Sequence, residues 1–231
     1  MIAPGDVLSY IDMCKEEVAS LQRGMNFKLR RGRSVILMSR RKGAPYQDTL
    51  EEGGKILVYE GHDVPRTSST RNPKRVDQPY VTPSGRPTQN ALFYDAAQRA
   101  SRGEATAELV RVYEKIKPGI WVYNGTFFLR DAWKQRESGR SVFRYKLELA
   151  EQVTPASGSE APTTGNTRVI PTDVKLAVWK RDRGRCVLCG STENLHFDHD
   201  IPYSKGGSSG TARNIRLLCA RHNLAKHDRI E

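Results

Sequence analysis

Short apolar runs that alternate with polar positions dominate the first two-thirds of the chain. Ser34–Ser39, Lys55–Tyr59, Gly119–Tyr123, Thr126–Leu129 and Ser141–Leu149 are rich in β-branched and aromatic residues and are flanked by turn formers. Such runs predict strands. Asn124-Gly125, between two of them, predicts a tight hairpin. Helical spacing is confined to Val7–Arg23 and to Gln89–Arg102, the latter stopped by Gly103. Residues 65–87 hold five prolines among polar residues and predict a long loop; long loops on β scaffolds often carry function.

The pattern stops at Glu151–Thr167, which is rich in Thr, Ser, Pro, Gly and Ala and has no basic residue. That composition predicts a flexible linker. Beyond it, Asp173–Arg183 suits a helix opened by Pro171-Thr172 and closed by Gly184. Asn194–Asp198 and Ile215–Leu218 predict two strands separated by the Gly- and Ser-rich loop Ser204–Gly210, and Arg221–Ile230 predicts a last helix. The organisation expected is a mainly β (α+β) domain at 1–150, a linker at 151–167 and a small ββα domain at 168–231. A domain of roughly 60 residues has a thin core, so a structural metal is expected to supply much of its folding energy.

Charge indicates a partner. The 231 residues include 38 Lys and Arg against 26 Asp and Glu, a formal net charge of +12 with a pI near 9.7. Residues 1–150 carry 26 basic and 17 acidic residues (net +9), the linker carries two acidic ones, and 168–231 carries 12 basic and 7 acidic (net +5). Two basic modules joined by a non-basic tether suit nucleic acid. A membrane partner is disfavoured, because no apolar run approaches the ~18 residues of a spanning helix. The first residues turn polar at once, which is not a secretory pattern. Three of four cysteines fall in one cluster, leaving Cys14 apart. This favours a metal site in a reducing, cytoplasmic compartment over a disulfide framework.

Cys186-x-x-Cys189 and Cys219-x-x-His222 are two close pairs with 29 residues between them. Each pair can grip one side of a tetrahedral zinc ion; the plain alternative is buried thiols and an unrelated pair. Asp198-His199 closes a predicted strand, so the two side chains face opposite ways and serve different ends. A carboxylate is a hard ligand suited to Mg²⁺ or Mn²⁺, and a neutral imidazole can take a proton from water. Asn223 could complete a two-ligand site with Asp198, and Asn214 could orient His199 by a hydrogen bond. Lys226 and Arg229, on the last helix, are candidate phosphate contacts. His196 is expected to be a solvated strand residue, and His227 an ordinary helix residue.

These residues, from Arg185-Cys186-x-x-Cys189-Gly190 through Phe197-Asp198-His199, Asn214-Ile215 and Leu218-Cys219 to Asn223-x-x-Lys226, resemble the HNH (ββα-metal) nuclease family. The resemblance makes His199 the general base, Asp198 and Asn223 ligands of the catalytic divalent ion, and Asn214 the structural asparagine. His222 stands where many relatives have a fourth cysteine, an acceptable exchange at zinc.

In the first domain, Ser34–Ser39, Ala44-Pro45-Tyr46-Gln47-Asp48, Gly54–His62, Asp77-Gln78, Asn90–Leu92, Gly119–Trp121 and Phe143–Leu147 follow one another in an order that resembles the SRA (SET- and RING-associated) domain. That resemblance implies a curved β-barrel that flips a modified cytosine out of DNA. Tyr46 and Tyr59 match the rings that stack on the flipped base, and Asp48 matches the carboxylate that accepts from its amino group. Arg40-Arg41-Lys42-Gly43 replaces a short glycine turn, and Glu60 stands where a small hydroxyl residue is common. Arg40, Arg41 and Lys42, with Arg71, Lys74 and Arg75 from the long loop, are candidate DNA contacts.

The whole chain thus resembles bacterial modification-dependent restriction endonucleases. The expectation is a cytoplasmic, homodimeric enzyme acting on double-stranded DNA that contains 5-methylcytosine or 5-hydroxymethylcytosine, with structural Zn²⁺ and catalytic Mg²⁺ or Mn²⁺. It would cut at a distance that the linker permits. Two other readings stay open at this point: an HNH nicking enzyme indifferent to modification, and a non-catalytic binder of modified DNA.

Overall fold

The computed structural model describes residues 2–30, 32–67, 70–150, 169–202 and 205–226. The stretch read as a linker and the part of the expected last helix after Lys226, with His227 and Arg229, lie outside the described residues.

The backbone of the first domain is the 18-residue strand β7 (Ile120–Glu137). Its first half pairs with β6 (Leu109–Lys117) and its second half with β8 (Arg140–Leu149), both antiparallel. From β6 the sheet continues through β3 (Ser34–Met38), paired parallel, to β2 (Met25–Asn26). From β8 it continues through β5 (Ile56–Glu60) to β4 (Thr49–Glu51). Strand β1 (Val7–Ser9) adds to the start of β7, completing eight strands. Helix α1 (Tyr10–Glu17) follows it, with the Ser9 hydroxyl accepting from the Asp12 N–H as an N-cap. Helix α2 (Gln89–Ser101), capped in the same way by Thr88, lays Phe93 and Ala97 into the core. There they meet Met25, Leu57, Phe127 and Tyr145, all fully buried.

Three sequence expectations change here. No hairpin forms at Asn124-Gly125; β7 runs straight through it. The pairing shifts register there, Val112 facing Gly125 and Tyr113 facing Tyr123, so Asn124 is the extra residue of a bulge. A turn would have put Asn124 in water. Instead its amide is 3 % exposed, donating to Glu114 Oε2 (3.2 Å) and accepting from Lys175 Nζ (2.7 Å). Strand β6 was not expected at all, because Arg111, Glu114, Lys115 and Lys117 interrupt its apolar pattern. Its Glu114 is nevertheless fully buried. At the N-terminus, the expected helix over Val7–Arg23 is shorter and begins with strand β1.

The second domain is built from α3 (Thr172–Arg181), the antiparallel pair β9 (Leu195–His199) and β10 (Ile215–Cys219), and α4 (Ala220–Lys226). Val174 and Val178 of α3 pack on Leu195, Phe197, Ile215 and Leu217. Ile116 and Val122 of the first domain belong to this same apolar cluster. Val169, where the chain re-enters, is buried in the first domain's own core. Gly54 (φ +99°) permits that approach, since a Cβ there would stand 3.0 Å from the Val169 side chain. Among the described residues no helix is long and apolar enough to cross a membrane.

Phe93 lies edge-on to both Phe27 and Tyr145 and is 0 % exposed. Phe93→Ala is expected to cost about 3–5 kcal/mol, read as a lower midpoint in chemical denaturation with an unchanged slope.

Candidate nuclease centre and base pocket

Cys186 and Cys189 lie in the turn after α3, Cys219 ends β10, and His222 is in the first turn of α4. Their ligand atoms all lie within 4.8 Å of one another. Cys186 Sγ and Cys219 Sγ stand 3.4 and 3.3 Å from His222 Nδ1, and Cys189 Sγ stands 3.8 Å from Cys219 Sγ. Tetrahedral zinc with Zn–S near ~2.3 Å and Zn–N near ~2.0 Å requires ligand separations of roughly 3.5–3.8 Å. The four residues therefore fit zinc. Burial acts to raise the Cys186 thiol's pKa, but backbone N–H groups of Cys219, Cys189 and Leu188 and the His222 ring outweigh it and bring the value to about 6. This favours the thiolate a metal needs.

Asp198 and His199 end β9, on opposite faces, with Asp198 opposite Arg216 and His199 opposite Ile215. The Asp198 carboxylate already holds a cation: Lys226 Nζ is 2.5 Å from Oδ2 and also bonds the His199 carbonyl oxygen. Lys226 is 3 % exposed, so it lies inside the centre rather than on a DNA-facing helix surface. Two hard oxygens gathering a buried positive charge are a donor set that suits Mg²⁺ or Mn²⁺. Asn223, one helical turn before Lys226, shares its face of α4.

The His199 ring is positioned by a residue that the sequence did not single out: Ser209 Oγ, 3 % exposed, is 2.8 Å from Nε2. Asn214 acts on the same loop. Its Oδ1 accepts from the Ile201 N–H (2.9 Å), while its Nδ2 donates to the Ile201 and Ser208 carbonyls (3.2 and 3.1 Å). It thus ties the two ends of the loop that delivers Ser209. Gly207 lets that loop close, since a Cβ there would run into the Ile201 carbonyl. His196, expected in solvent, instead pairs with Asp6 of the first domain at 2.7 Å.

The second candidate site lies where β3 and β5 end, around a cavity of about 1040 Å³ lined by Tyr46, Asp48, Tyr59, His62, Arg23 and Arg41, among others. Asp48 is 7 % exposed and accepts from the Ser39 N–H (3.0 Å) and the Glu60 N–H (3.2 Å). Burial pushes its pKa up to about 7, against the pull of those two donors. Tyr59 is buried on β5 and Tyr46 half-buried on the loop before β4. His62 joins them, which sequence reasoning missed. Its ring stacks on Tyr46 (centroids 5.6 Å, 27°), and the Tyr59 hydroxyl is 3.2 Å from its Nε2. Burial lowers the imidazole's pKa to about 4, so it is neutral near pH 7. The signal available was its place directly after the Tyr59-Glu60-Gly61 strand end.

Glu60, the unusual residue of the motif, is a buried hub. Arg140 Nη2 meets its Oε1 (3.0 Å), and the Gln47 N–H donates to its Oε2 (2.8 Å). Arg144 donates to the Gln47 carbonyl (2.9 Å). Of the basic loop residues, Lys74 sits 4.2 Å above the Tyr46 ring and 3.0 Å from Asp63. Arg71 and Arg75 are exposed near it. Arg40 reaches Thr172 Oγ1 at 3.4 Å, Arg41 Nε meets Ser39 Oγ at 3.3 Å, and Lys42 is exposed.

Residues 186–229 match the HNH endonuclease family, so the C-terminal part of the chain carries an HNH endonuclease domain. No curated protein matches the chain. Similar solved structures include the SUVH5 SRA domain in complex with hemi-methylated CG DNA, at 22% identity over 70% of this chain and 94% of that one, with a TM-score of 0.47. The SUVH5 SRA domain bound to fully hydroxymethylated CG DNA is 20% identical over 67% and 89%, with a TM-score of 0.44. SUVH6 of Arabidopsis thaliana in complex with SAM is 16% identical over 65% and 25%, with a TM-score of 0.41.

Cys186→Ser removes a ligand from a domain whose core is small. The expected outcome is loss of bound zinc on dialysis, measured by atomic emission, together with protease sensitivity confined to residues after 168.

Proposed function

We propose that this protein is a modification-dependent DNA endonuclease: the first domain binds a flipped 5-methylcytosine or 5-hydroxymethylcytosine, and the HNH domain hydrolyses a nearby phosphodiester. The observation that carries the reading is a buried carboxylate, Asp48, beside aromatic walls in a cavity, on the same chain as an HNH centre. Cytosine presents its N4 amino group as a donor, and a carboxylate is its natural acceptor. Tyr46 offers a half-exposed ring for stacking, and extrusion of the base costs a few kcal/mol that such contacts offset. The net charge of +12 supplies attraction to the phosphate backbone.

In the nuclease centre His199 takes the proton of the attacking water, its ring held by Ser209 and, through the loop, by Asn214. Asp198 and Asn223 are the residues that would hold a divalent ion, Mg²⁺ or Mn²⁺, which supplies Lewis-acid charge to the scissile phosphate when bound. The exposed Arg71 and Arg75 extend the basic surface beside the base pocket. Products carry 5′-phosphate and 3′-hydroxyl ends. One such centre cuts one strand, so a double-strand break calls for a second copy of the chain, a homodimer on DNA in the cytoplasm.

The test is cleavage of matched duplexes carrying cytosine, 5-methylcytosine or 5-hydroxymethylcytosine, with Mg²⁺ or Mn²⁺. Equal rates on all three would sink the reading in favour of a modification-blind nicking enzyme. No cleavage of any, unaffected by His199→Ala, would leave a binding protein only. The expected result is modification-dependent cutting that His199→Ala abolishes, by at least about 10²-fold in rate, with binding retained. Tyr46→Ala is expected to remove discrimination between modified and plain duplexes.

Asp48 also makes binding pH-dependent. With its pKa near 7 in the free protein, accepting from the base amino group requires the ionised form. Affinity should therefore rise with pH and level off above about 8. At pH 6 the carboxyl is roughly nine-tenths protonated, so affinity should be down by about tenfold. Asp48→Asn is expected to bind more weakly and to lose this slope in fluorescence anisotropy titrations. His62, with its pKa near 4, stays neutral throughout the range.

A further inference from the structure

We infer that the nuclease domain is docked on the first domain as one rigid body, and that this docking, rather than the length of chain 151–167, sets where DNA is cut. The inference rests on the reading that the first domain recognises DNA and the second cuts it.

Three independent contacts carry it. The first is a buried polar lock. Lys175 of α3, 1 % exposed, places Nζ 2.7 Å from Glu114 Oε2 on β6 and 2.7 Å from Asn124 Oδ1 at the β7 bulge. The Thr172 hydroxyl donates to the other Glu114 oxygen. Burial alone would raise the Glu114 pKa, but Lys175, Thr172 and Asn124 hold it below the ordinary glutamate value. Each charged group in the lock finds its partner across the domain boundary, so separation would leave Glu114 and Asn124 without these partners.

The second contact is apolar. Ile116 and Val122 complete the core formed by Val174, Val178 and Phe197. A small domain that borrows core residues cannot leave without exposing both faces. The third is at the far side, where His196 meets Asp6 at 2.7 Å and the Phe197 N–H donates to the Gly5 carbonyl (3.0 Å). Contacts at both α3 and β9 fix orientation as well as distance. Lys175 and Glu114 are thus positioning residues: they touch no substrate and act by holding His199 at one place relative to Asp48.

The experiment uses the full chain and a duplex with one modified cytosine, with both cut ends mapped. Ten Gly and Ser residues inserted between 151 and 167 are expected to leave the cut positions unchanged. Lys175→Glu, which sets two carboxylates face to face, is expected to spread cleavage over several positions while binding of the modified duplex stays within about twofold. Cuts that move or broaden with the insertion alone would overturn the inference, even if Lys175→Glu fails to fold. Small-angle scattering of the insertion protein gives a reading independent of cleavage. An unchanged maximum dimension supports docking, and a lengthened one overturns it. Cleavage blind to modification, or none, overturns the functional reading instead and leaves the scattering to decide the docking.

Discussion

The Glu60–Arg140 ion pair is the contact on which the Tyr46–Asp48 cavity depends. Arg140 and Glu60 are 5 % and 3 % exposed, and buried charges persist only when their bonding capacity is filled. Glu60 fills its capacity with Arg140, the Gln47 N–H and, more distantly, Lys74 and Arg144. Arg140 fills its own with Asp63 as well. The consequence is local but decisive. Gln47, between Tyr46 and Asp48, has its N–H taken by Glu60 and its carbonyl taken by Arg144. A loop that would otherwise move is pinned at both backbone groups, and its two neighbours inherit fixed directions. Pre-ordering of this kind lowers the entropy that binding must overcome.

The nuclease domain meets the same requirement with different means. Its sheet has two strands, too few to bury a face alone. Four ligands gathered for zinc close one end, and the first domain's Ile116 and Val122 cover another. Within the centre, Lys226 balances the Asp198 carboxylate, so the acidic group is compensated even without a metal. Ser209 and Asn214 show how a flexible Gly- and Ser-rich segment becomes precise: the amide of Asn214 bonds both flanks of the loop, and the serine hydroxyl transfers that order to the His199 ring.

What the sequence disclosed follows the range of the interactions. The zinc ligands were legible because each pair is three residues apart and its chemistry is specific. Asp198, His199 and Asn214 were singled out by their order, as were Tyr46, Asp48 and Tyr59, and the structure sets the latter three around one cavity. Most strands were legible from alternation. The failures at Glu114, Asn124, His196 and Lys226 involve polar residues whose partners are remote in sequence. Glu114 interrupted the pattern of β6 because its cation lies 61 residues away, and Asn124 imitated a turn because its donor lies 51 residues away. His196 looked solvated because Asp6 is 190 residues distant. Lys226 looked like a phosphate contact because its carboxylate sits on a neighbouring strand. No local pattern distinguishes a solvated charge from one paired in the core.

The same remote pairing explains why pocket and nuclease share a wall. Strand β3 ends at Met38, opposite Glu114. The next residue, Ser39, gives its N–H to Asp48, and the one after, Arg40, reaches Thr172 at the start of α3. Three consecutive residues therefore touch the buried lock, the Asp48 carboxylate and the nuclease domain in turn. A shift of this segment toward either side stretches a hydrogen bond on the other. A glycine at position 40 would carry no side chain to make the Thr172 contact. Arg40 does, which gives the basic Arg40-Arg41-Lys42 segment a structural role at the junction of the two domains.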